Sequence, residues 1–131
     1  MSLDANKTKA IAIVEGVAAG TLDKPAFTAD AIWWMQGRGE MTIDLFLAMH
    51  RDLAAKLLAG ESRMLIHGIT AEGDRVALET ECFVPLKNGQ TYNNSYHFLI
   101  RFRNGQACYV KEYFDTAYAQ KVLQLGSGKK R

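Results

Sequence analysis

The first part of the chain carries apolar residues at helical spacing. Between residues 7 and 19, apolar side chains recur at steps of three and four, at Ile11, Val14, Val17 and Ala18. This period predicts an amphipathic helix over 7–19 that ends at Gly20. Asp23 followed closely by Pro25 is typical of a helix start, because Asp caps the first turn and Pro fits inside it. A short second helix is therefore predicted over 23–27.

A third helix is predicted by a longer apolar stripe that begins after Thr42, a residue able to cap it. The members of this stripe, which ends at Gly60, are Phe46, Met49, His50, Leu53 and Leu57. The stripe predicts the longest element of the chain. Before it, residues 30–35 are β-branched and aromatic, and Gly37 and Gly39 follow, which predicts a first strand and a turn.

Beyond Gly60 the spacing of the apolar residues changes from three or four positions, as in a helix, to two, as in a strand. This change predicts four strands, over 64–70, 75–85, 91–103 and 106–116. Asn104-Gly105, between the last two, is the strongest turn signal, because a type I′ turn needs a positive φ at both central residues. Helices followed by long antiparallel strands predict an α+β fold with the helices packed on one face of the sheet.

The alternation within each strand predicts which side chains face the core. On 91–103 the more apolar set is Tyr92, Asn94, Tyr96, Phe98, Ile100 and Phe102. Asn94 and Tyr96 would then point into an apolar interior, where a polar group needs a protein partner, a water or a ligand. Structural pairing and ligand binding both remain open for these two residues.

The last strand places a carboxylate on the same side. Its inward set is Cys108, Val110, Glu112 and Phe114. Because a buried charge is costly, we expect Glu112 either to be hydrogen-bonded by a neighbour such as Tyr96 or to have a raised pKa. A raised pKa suits a general acid or base, and a structural hydrogen-bonded Glu is the alternative. On 75–85 the register is ambiguous: an inward Glu79 could pair with Glu112, whereas outward Glu79 and Glu81 would be solvated or lie at an interface.

Composition narrows the class of protein. The 131 residues, 48% of them hydrophobic, are enough for one domain with one core. Sixteen Lys and Arg against 14 Asp and Glu are too balanced for a nucleic-acid groove or a membrane surface. Cys82 and Cys108 lack metal-ligand spacing and are interpreted as reduced buried thiols. No apolar run approaches the ~18 residues that a membrane-spanning helix needs. We expect a cytoplasmic domain over 1–125 and a flexible basic tail over 126–131.

Three segments together carry a family pattern. They are Asp30-Ala31-Ile32-Trp33-Trp34, Tyr92-Asn93-Asn94-Ser95-Tyr96, and Asn104-Gly105 followed by Lys111-Glu112-Tyr113-Phe114-Asp115. The pattern resembles the SnoaL-like, ketosteroid isomerase-like branch of the NTF2-like superfamily. The resemblance implies a cone in which three N-terminal helices pack on a strongly curved, mostly antiparallel β-sheet around a deep pocket. This scaffold hosts ketosteroid isomerases, polyketide cyclases and dehydratases, so it fixes the fold more than the reaction.

The resemblance also implies positions for the chemistry. Polyketide cyclases of this type carry an acid/base Asp seven residues after the hairpin Gly, which corresponds to Glu112. Their companion His corresponds to Phe98, and the Tyr and the Asp base of ketosteroid isomerases correspond to Ile13 and Met35. We therefore expect neither strict cyclase chemistry nor steroid isomerisation by that mechanism.

Other residues are candidates for the pocket wall. Of the two adjacent tryptophans, we expect Trp33 inside, where its ring gives a flat apolar surface. His67 and His50 are titratable candidates, and for each the alternative is a satisfied core histidine. The predicted ligand-binding set is Trp33, Phe98, His67, Glu79, Met35 and Phe114.

Two functions remain open. In the enzyme hypothesis, of isomerase, cyclase or dehydratase (lyase) type, Glu112 transfers a proton on a small apolar, oxygenated molecule. Tyr96 and Asn94 stabilise the developing oxyanion, and neither a metal nor an organic cofactor is needed. In the alternative, the pocket or the outer sheet face binds a hydrophobic ligand or a protein partner without catalysis.

A homodimer is expected through the outer face of the sheet, with neither nucleic acid nor membrane as a partner. The apolar side chains predicted there are Leu99, Tyr109, Trp34 and, in one of the two registers of 75–85, Val76 and Leu78. Together they form too much apolar surface to leave in water.

Overall fold

Helices and long strands follow one another in the predicted order. The computed structural model describes residues 2–124. Its helices are α1 (Leu3–Ala19), a 3₁₀ turn (Lys24–Ala26), α2 (Ile43–Leu57) and α3 (Thr116–Leu123). Its strands are β1 (Phe27–Met35), β2 (Gly39–Thr42), β3 (Arg63–Glu72), β4 (Arg75–Pro85), β5 (Thr91–Arg103) and β6 (Gln106–Phe114). The predicted domain end at 125 and the predicted tail over 126–131 lie outside the described residues.

The described strands form one open sheet in the order β2-β1-β6-β5-β4-β3. Neighbouring strands are antiparallel except β1 and β6, which run parallel. Three of the pairings contain bulges or register shifts, which bend strands and increase their twist. The predicted α+β fold, with three N-terminal helices on a curved, mostly antiparallel sheet, is confirmed. The second of those helices is the 3₁₀ turn.

Local sequence signals set the ends of these elements. Gly20 ends α1 with a φ of 74°, a left-handed conformation that glycine adopts without strain. Thr42 caps α2, because its hydroxyl accepts a hydrogen bond of 3.2 Å from the backbone N–H of Leu45. Asn104 and Gly105 have φ values of 52° and 82°, as a type I′ turn requires. The predicted helix end, cap and hairpin are all confirmed.

A bulge displaces the start of β6 from simple alternation. Arg101 pairs with Tyr109, but the next residue, Phe102, pairs with Ala107. Cys108 is therefore the extra residue of the bulge and is half-buried, whereas Ala107 is fully buried. The prediction that Cys108 faces the core is wrong, because the inward and outward alternation does not continue through a bulge.

Two elements were not predicted from the sequence. β2 has only four residues and lies where a turn was expected. α3 begins where the last strand was expected to continue to residue 116. Asp115 stops that strand, because its side chain accepts a hydrogen bond of 3.0 Å from the N–H of Tyr118 and caps α3. The longest element is α1, with 17 residues, and not α2, with 15.

The core lies between the helices and one face of the sheet. Its largest fully buried side chains include Trp33, Phe46, Phe98, Ile43, Leu78 and Ile100. On β4 the buried residues that face the helices are Val76, Leu78, Thr80, Cys82 and Val84. Glu79 is exposed and Glu81 half-buried on the opposite face, which resolves the ambiguous register. The predicted inward set of β5 is confirmed, with Tyr96 half-buried and its other members buried.

Candidate active site

A cavity of about 100 Å³ lies among α1, α2, α3 and the sheet. Its wall is almost entirely apolar. α2 contributes its whole predicted stripe, namely Phe46, Met49, His50, Leu53 and Leu57. Val17 and Ala18 of α1 and Ala119 and Leu123 of α3 also line the cavity. The titratable side chains in the described wall are His50, Cys82, Tyr92, Tyr96 and Glu112.

Glu112 is the carboxyl group of this cavity. It stands opposite Met35 in the β1–β6 pairing and opposite Phe98 in the β5–β6 pairing, so two neighbouring strands fix its direction. The residue is 4% exposed. Its Oε1 accepts a hydrogen bond of 2.8 Å from the indole Nε1–H of Trp33, and Oε2 has no hydrogen-bond partner among residues 2–124. The predicted inward orientation is confirmed, although the partner is Trp33 and not Tyr96.

The surroundings of Glu112 change its acidity. Burial disfavours the charged form and raises the pKa of Glu112 to about 7, while the Trp33 hydrogen bond lowers it by a smaller amount. The carboxyl is therefore close to half ionised at neutral pH. This is the protonation behaviour that a general acid or base needs, and it agrees with the expectation from the sequence.

Aromatic packing holds Trp33 behind this carboxyl. The indole stacks on Phe46 with ring centres 3.8 Å apart and makes edge contacts with Phe27 and Phe98 at 6.2 and 6.5 Å. The predicted inward orientation of Trp33 is confirmed. However, Trp33 and Phe98 are both fully buried and are not part of the cavity wall. They pack behind Glu112, on the side away from the cavity. Neither side chain can therefore contact a ligand in the cavity directly, and the predicted ligand contacts of Trp33 and Phe98 are wrong.

Two tyrosines of β5 form a hydroxyl pair in the cavity wall. The hydroxyl oxygens of Tyr92 and Tyr96 are 2.8 Å apart. Burial raises the pKa of Tyr96 well above its ordinary value, and the nearby Glu112 carboxylate raises it further. The Tyr96 hydroxyl therefore stays protonated and can donate a hydrogen bond at any working pH.

Asn94 does not reach the cavity. Its Nδ2 donates hydrogen bonds to the Tyr92 hydroxyl at 2.7 Å and to the backbone carbonyl of Asp115 at 3.1 Å. Its Oδ1 accepts from the N–H of Ser95 at 2.8 Å. Because both amide hydrogens have protein partners, the prediction that Asn94 donates directly to a substrate oxyanion is wrong.

Two predicted ligand-binding residues lie on the outer face of the sheet. A bulge in β3 falls at His67, whose Nε2 lies 3.0 Å from Oε1 of Glu81 in an exposed pair. Glu79 is exposed on the same face and cannot form a carboxylate pair with Glu112. The predictions for His67 and Glu79 are therefore wrong, whereas Met35 and Phe114 do line the cavity.

His50 belongs to the site although it is not in the predicted ligand-binding set. Its ring lies in the cavity wall and stacks on Phe46 with ring centres 5.4 Å apart. Burial lowers the pKa of His50, and the backbone of Val17 opposes this effect. The signal that could have found it was its position in the α2 stripe, since every other member of that stripe also lines the cavity.

Within residues 2–124, no group of three or more His, Cys, Asp or Glu side chains is placed to hold a metal ion. The helices of that segment include none with the length and apolar character of a membrane span.

Sequence comparison decides the family. The model of the SnoaL-like domain matches residues 11–110, which is most of the chain. This chain belongs to the SnoaL-like family. The match ends two residues before Glu112. The position of Glu112 in this SnoaL-like chain is therefore supported by the structure and by the alternation of the last strand, and not by the family match. No curated protein sequence is significantly similar to the SnoaL-like chain.

Solved structures show the same fold. A putative hydroxylase from Streptomyces galilaeus has a TM-score of 0.77 at 15% identity, covering 94% of this chain and 98% of its own. A putative SnoaL-like polyketide cyclase from Jannaschia sp. has a TM-score of 0.74 at 12% identity, with 93% of each chain covered. A hypothetical protein with a ketosteroid isomerase-like fold from Catenulispora acidiphila has a TM-score of 0.72 at 16% identity, covering 99% of this chain and 100% of its own. The predicted NTF2-like fold of the SnoaL-like chain is confirmed.

Proposed function

We propose that this SnoaL-like protein is an enzyme that transfers a proton on a small apolar molecule bearing oxygen, with Glu112 as acid and base. One observation carries the proposal: the Glu112 carboxyl faces an apolar cavity, is held at one oxygen by Trp33, and has a pKa of about 7. A carboxyl near half ionisation can accept a proton in one step and return it in the next. Buried carboxylates with a purely structural role are normally paired or fully hydrogen-bonded instead.

The step that suits this carboxyl is removal of a proton from a carbon next to a carbonyl group. The C–H bond breaks, the proton passes to Glu112, and the electron pair forms an enolate whose charge lies mainly on oxygen. Donation from the Tyr96 hydroxyl to that oxygen stabilises the enolate. Return of the proton to another carbon completes an isomerisation, and its delivery to a leaving hydroxyl completes a dehydration with release of water. Attack of the enolate carbon on a second carbonyl instead forms a C–C bond that closes a ring, and Glu112 returns its proton to the alkoxide oxygen that results.

The wall of the cavity limits the substrate. Three methionines line it, Met35, Met49 and Met64, and their unbranched side chains adapt to different shapes. At about 100 Å³ the cavity is smaller than the ~300–1,000 Å³ of typical ligand clefts. The substrate that fits is a small, mostly hydrocarbon ring or chain with one or two oxygens, and a larger one requires movement of the methionines.

The similar folds support a small-molecule site without selecting a reaction. They include a putative hydroxylase and a putative polyketide cyclase, which differ in chemistry on one scaffold. The choice among isomerisation, dehydration and cyclisation therefore rests on the cavity and its side chains.

Deuterium exchange at carbon tests the proposal without knowledge of the natural substrate. Ring ketones such as cyclohexenone and tetralone are incubated with the protein in heavy water, and loss of the C–H signal is followed by NMR. We expect the protein to accelerate exchange on at least one of them, and Glu112→Gln to lower the rate by roughly 10²–10⁴-fold.

Glu79→Gln is the matched control, because Glu79 is exposed on the outer face. We expect it to exchange at the wild-type rate. Equal rates for Glu112→Gln and wild type would contradict the assignment of Glu112. Binding of a ring ketone without any exchange would indicate the alternative, a non-catalytic pocket for hydrophobic ligands.

A further inference from the structure

The cavity beside Glu112 is a long slot. Its wall follows α2 from Phe46, whose ring packs on the indole that holds the carboxyl, to Leu57 at the end of the helix. These two residues are eleven positions apart, which corresponds to roughly 16 Å along a helix. The sheet gives a similar length. Tyr92 also lines the cavity and lies six residues along β5 from Phe98, the strand partner of Glu112, which is roughly 20 Å along a strand.

The volume of the slot indicates that it is one chain wide. A cavity holds one water-sized group per about 10–15 Å³, so about 100 Å³ holds roughly seven to ten such groups. A methylene group is close to a water molecule in size. Roughly seven to ten groups spread over about 16 Å leave no room for two side by side. The slot therefore fits an unbranched chain better than a fused ring system.

Backbone contacts tie α2 to the sheet at the end of the slot away from the carboxyl. Leu58 and Leu86 form an isolated bridge between the end of α2 and the end of β4. Next to this bridge, the N–H of Ala59 donates to the carbonyl of Pro85 over 2.9 Å. Leu57, Leu58 and Leu86 line the cavity here and form a leucine end, which is purely hydrocarbon.

Charge is confined to the opposite end of the slot. Burial raises the pKa of Cys82 to about 11 and that of Tyr92 to about 12. It also raises the pKa of Tyr96 well above the usual value and lowers the pKa of His50. These four side chains are therefore neutral at pH 7, and Glu112 is the group that ionises. The described wall contains neither Lys nor Arg, so a charged ligand would lack a partner there.

We propose that the substrate is an unbranched, uncharged aliphatic carbonyl compound of roughly seven to ten carbons, with its carbonyl group beside Glu112 and its chain extended to the leucine end. The inference rests on the proposed function, which places the reacting C–H bond next to Glu112. It narrows the substrate to ketones and esters of medium chain length. Free fatty acids are excluded, because their carboxylate would lie beside the Glu112 carboxyl without a cation.

A series of ketones of increasing length tests the slot by binding alone. The unbranched 2-alkanones from 2-pentanone to 2-tridecanone are titrated into the wild-type protein at pH 7, and binding is followed by NMR shifts. We expect the affinity to rise about three- to fourfold for each added methylene group, as for burial of a CH₂. The rise should stop near 2-nonanone, where the chain reaches the leucine end.

Two matched ligands test the shape and charge of the substrate. Cyclononanone has the carbon number of 2-nonanone but cannot lie in single file, so we expect it to bind about tenfold more weakly or worse. Decanoate should not displace 2-nonanone. Equal affinity along the ketone series, tighter binding of the ring, or displacement by decanoate would each overturn the proposal.

Variants of Leu86 test where the chain ends. Leu86→Phe adds atoms to the leucine end, so the affinity should stop rising about one or two carbons earlier, with binding of 2-pentanone unchanged. Leu86→Ala removes atoms and should shift the limit to longer chains. Leu58→Phe repeats the first change on α2, and it replaces Leu86→Phe if that variant does not fold. Leu45→Phe, on the exposed side of α2, is the control and should keep the wild-type profile. The same limit in wild type and in the folded variants of the leucine end would overturn the proposal.

Binding and deuterium exchange separate this inference from the proposed function. Exchange on cyclohexenone, together with binding that does not depend on chain length, would overturn the linear substrate and leave proton transfer by Glu112 standing. The expected chain-length profile without exchange on any ketone, 2-nonanone included, would overturn the proposed function. It would leave a slot that binds uncharged aliphatic chains.

Discussion

The indole N–H of Trp33 donates to Oε1 of Glu112 over 2.8 Å, across the one parallel strand pair in the described sheet. This bond fixes one carboxyl oxygen and leaves the other for the cavity. It also stabilises the ionised form, so it opposes the effect of burial on the pKa of Glu112. The acidity of the site is therefore set by two neighbouring effects of opposite sign, of which burial is the larger.

Trp33→Phe should raise the pKa of Glu112 above 7. The substitution keeps an aromatic ring against Phe46 but removes the N–H that favours the carboxylate. A hydrogen bond to a charged group contributes about 1.5–3 kcal/mol, which corresponds to roughly one to two pKa units. Titration of the Glu112 carboxyl by carbon NMR in the variant measures the shift. An unchanged or lower pKa would contradict the role given to Trp33.

Glu112→Gln should stabilise the protein at alkaline pH. The raised pKa means that the folded protein holds this proton more tightly than the unfolded chain does. The contribution of Glu112 to stability is therefore fully present below pH 4.5 and is lost as the pH rises toward 7. Above pH 7 the buried charge costs as much as about 3 kcal/mol, which Gln avoids.

Urea unfolding of wild type and Glu112→Gln at pH 4 and pH 8 measures this effect. We expect the variant to gain stability relative to wild type at pH 8 and to show little gain at pH 4. The opposite result would be a larger loss of unfolding free energy on Glu112→Gln at pH 8 than at pH 4. That result would show that the ionised Glu112 is favourably paired in the folded protein.

The contribution of His50 to stability should increase as the pH rises, whereas that of Glu112 decreases. Its lowered pKa means that folding favours the neutral ring, so its contribution is present above pH 6.5 and is lost as the pH falls through the folded-state pKa. The loss of unfolding free energy caused by His50→Gln should therefore be smaller at pH 5 than at pH 8. An equal loss at both pH values would place His50 outside a desolvated site.

We expect the protein to form a homodimer through the outer face of the sheet. Trp34 and Tyr113 pack with ring centres 4.9 Å apart, and Leu99 and Lys111 are paired on the adjoining strands. A half-exposed aromatic and aliphatic patch of this kind is typical of an interface. Leu99→Lys should shift the dimer to monomer in sedimentation experiments at micromolar concentration, whereas Leu45→Lys, on the exposed side of α2, should not. A monomeric wild type would rule out this interface.

The strand pattern was sufficient to locate Glu112 and insufficient to describe its neighbours. Period two with one buried face fixes the direction of every side chain on a regular strand, so the inward carboxyl could be predicted from alternation. The same rule failed at Cys108, because a bulge adds one residue and reverses the count. Backbone irregularities of this kind leave no clear mark in a single sequence.

The partner of a buried polar group is harder to predict than its burial. Asn94 was correctly placed inside, but its second amide hydrogen goes to the carbonyl of Asp115, at the start of a helix that the sequence pattern did not reveal. Trp33 was correctly placed inside, but its bond to Glu112 depends on parallel pairing of β1 with β6, strands far apart in the chain. Local periodicity carries no information on such long-range pairing.

The most direct measurement is the pKa of the Glu112 carboxyl in the wild-type protein, from carbon NMR titration of a glutamate-labelled sample assigned with Glu112→Gln. A midpoint near 7 is expected if the buried carboxyl is an acid and base in an apolar cavity. A midpoint near 4.5, the ordinary value, would mean a solvated or well-paired carboxylate and would contradict the proposed proton transfer.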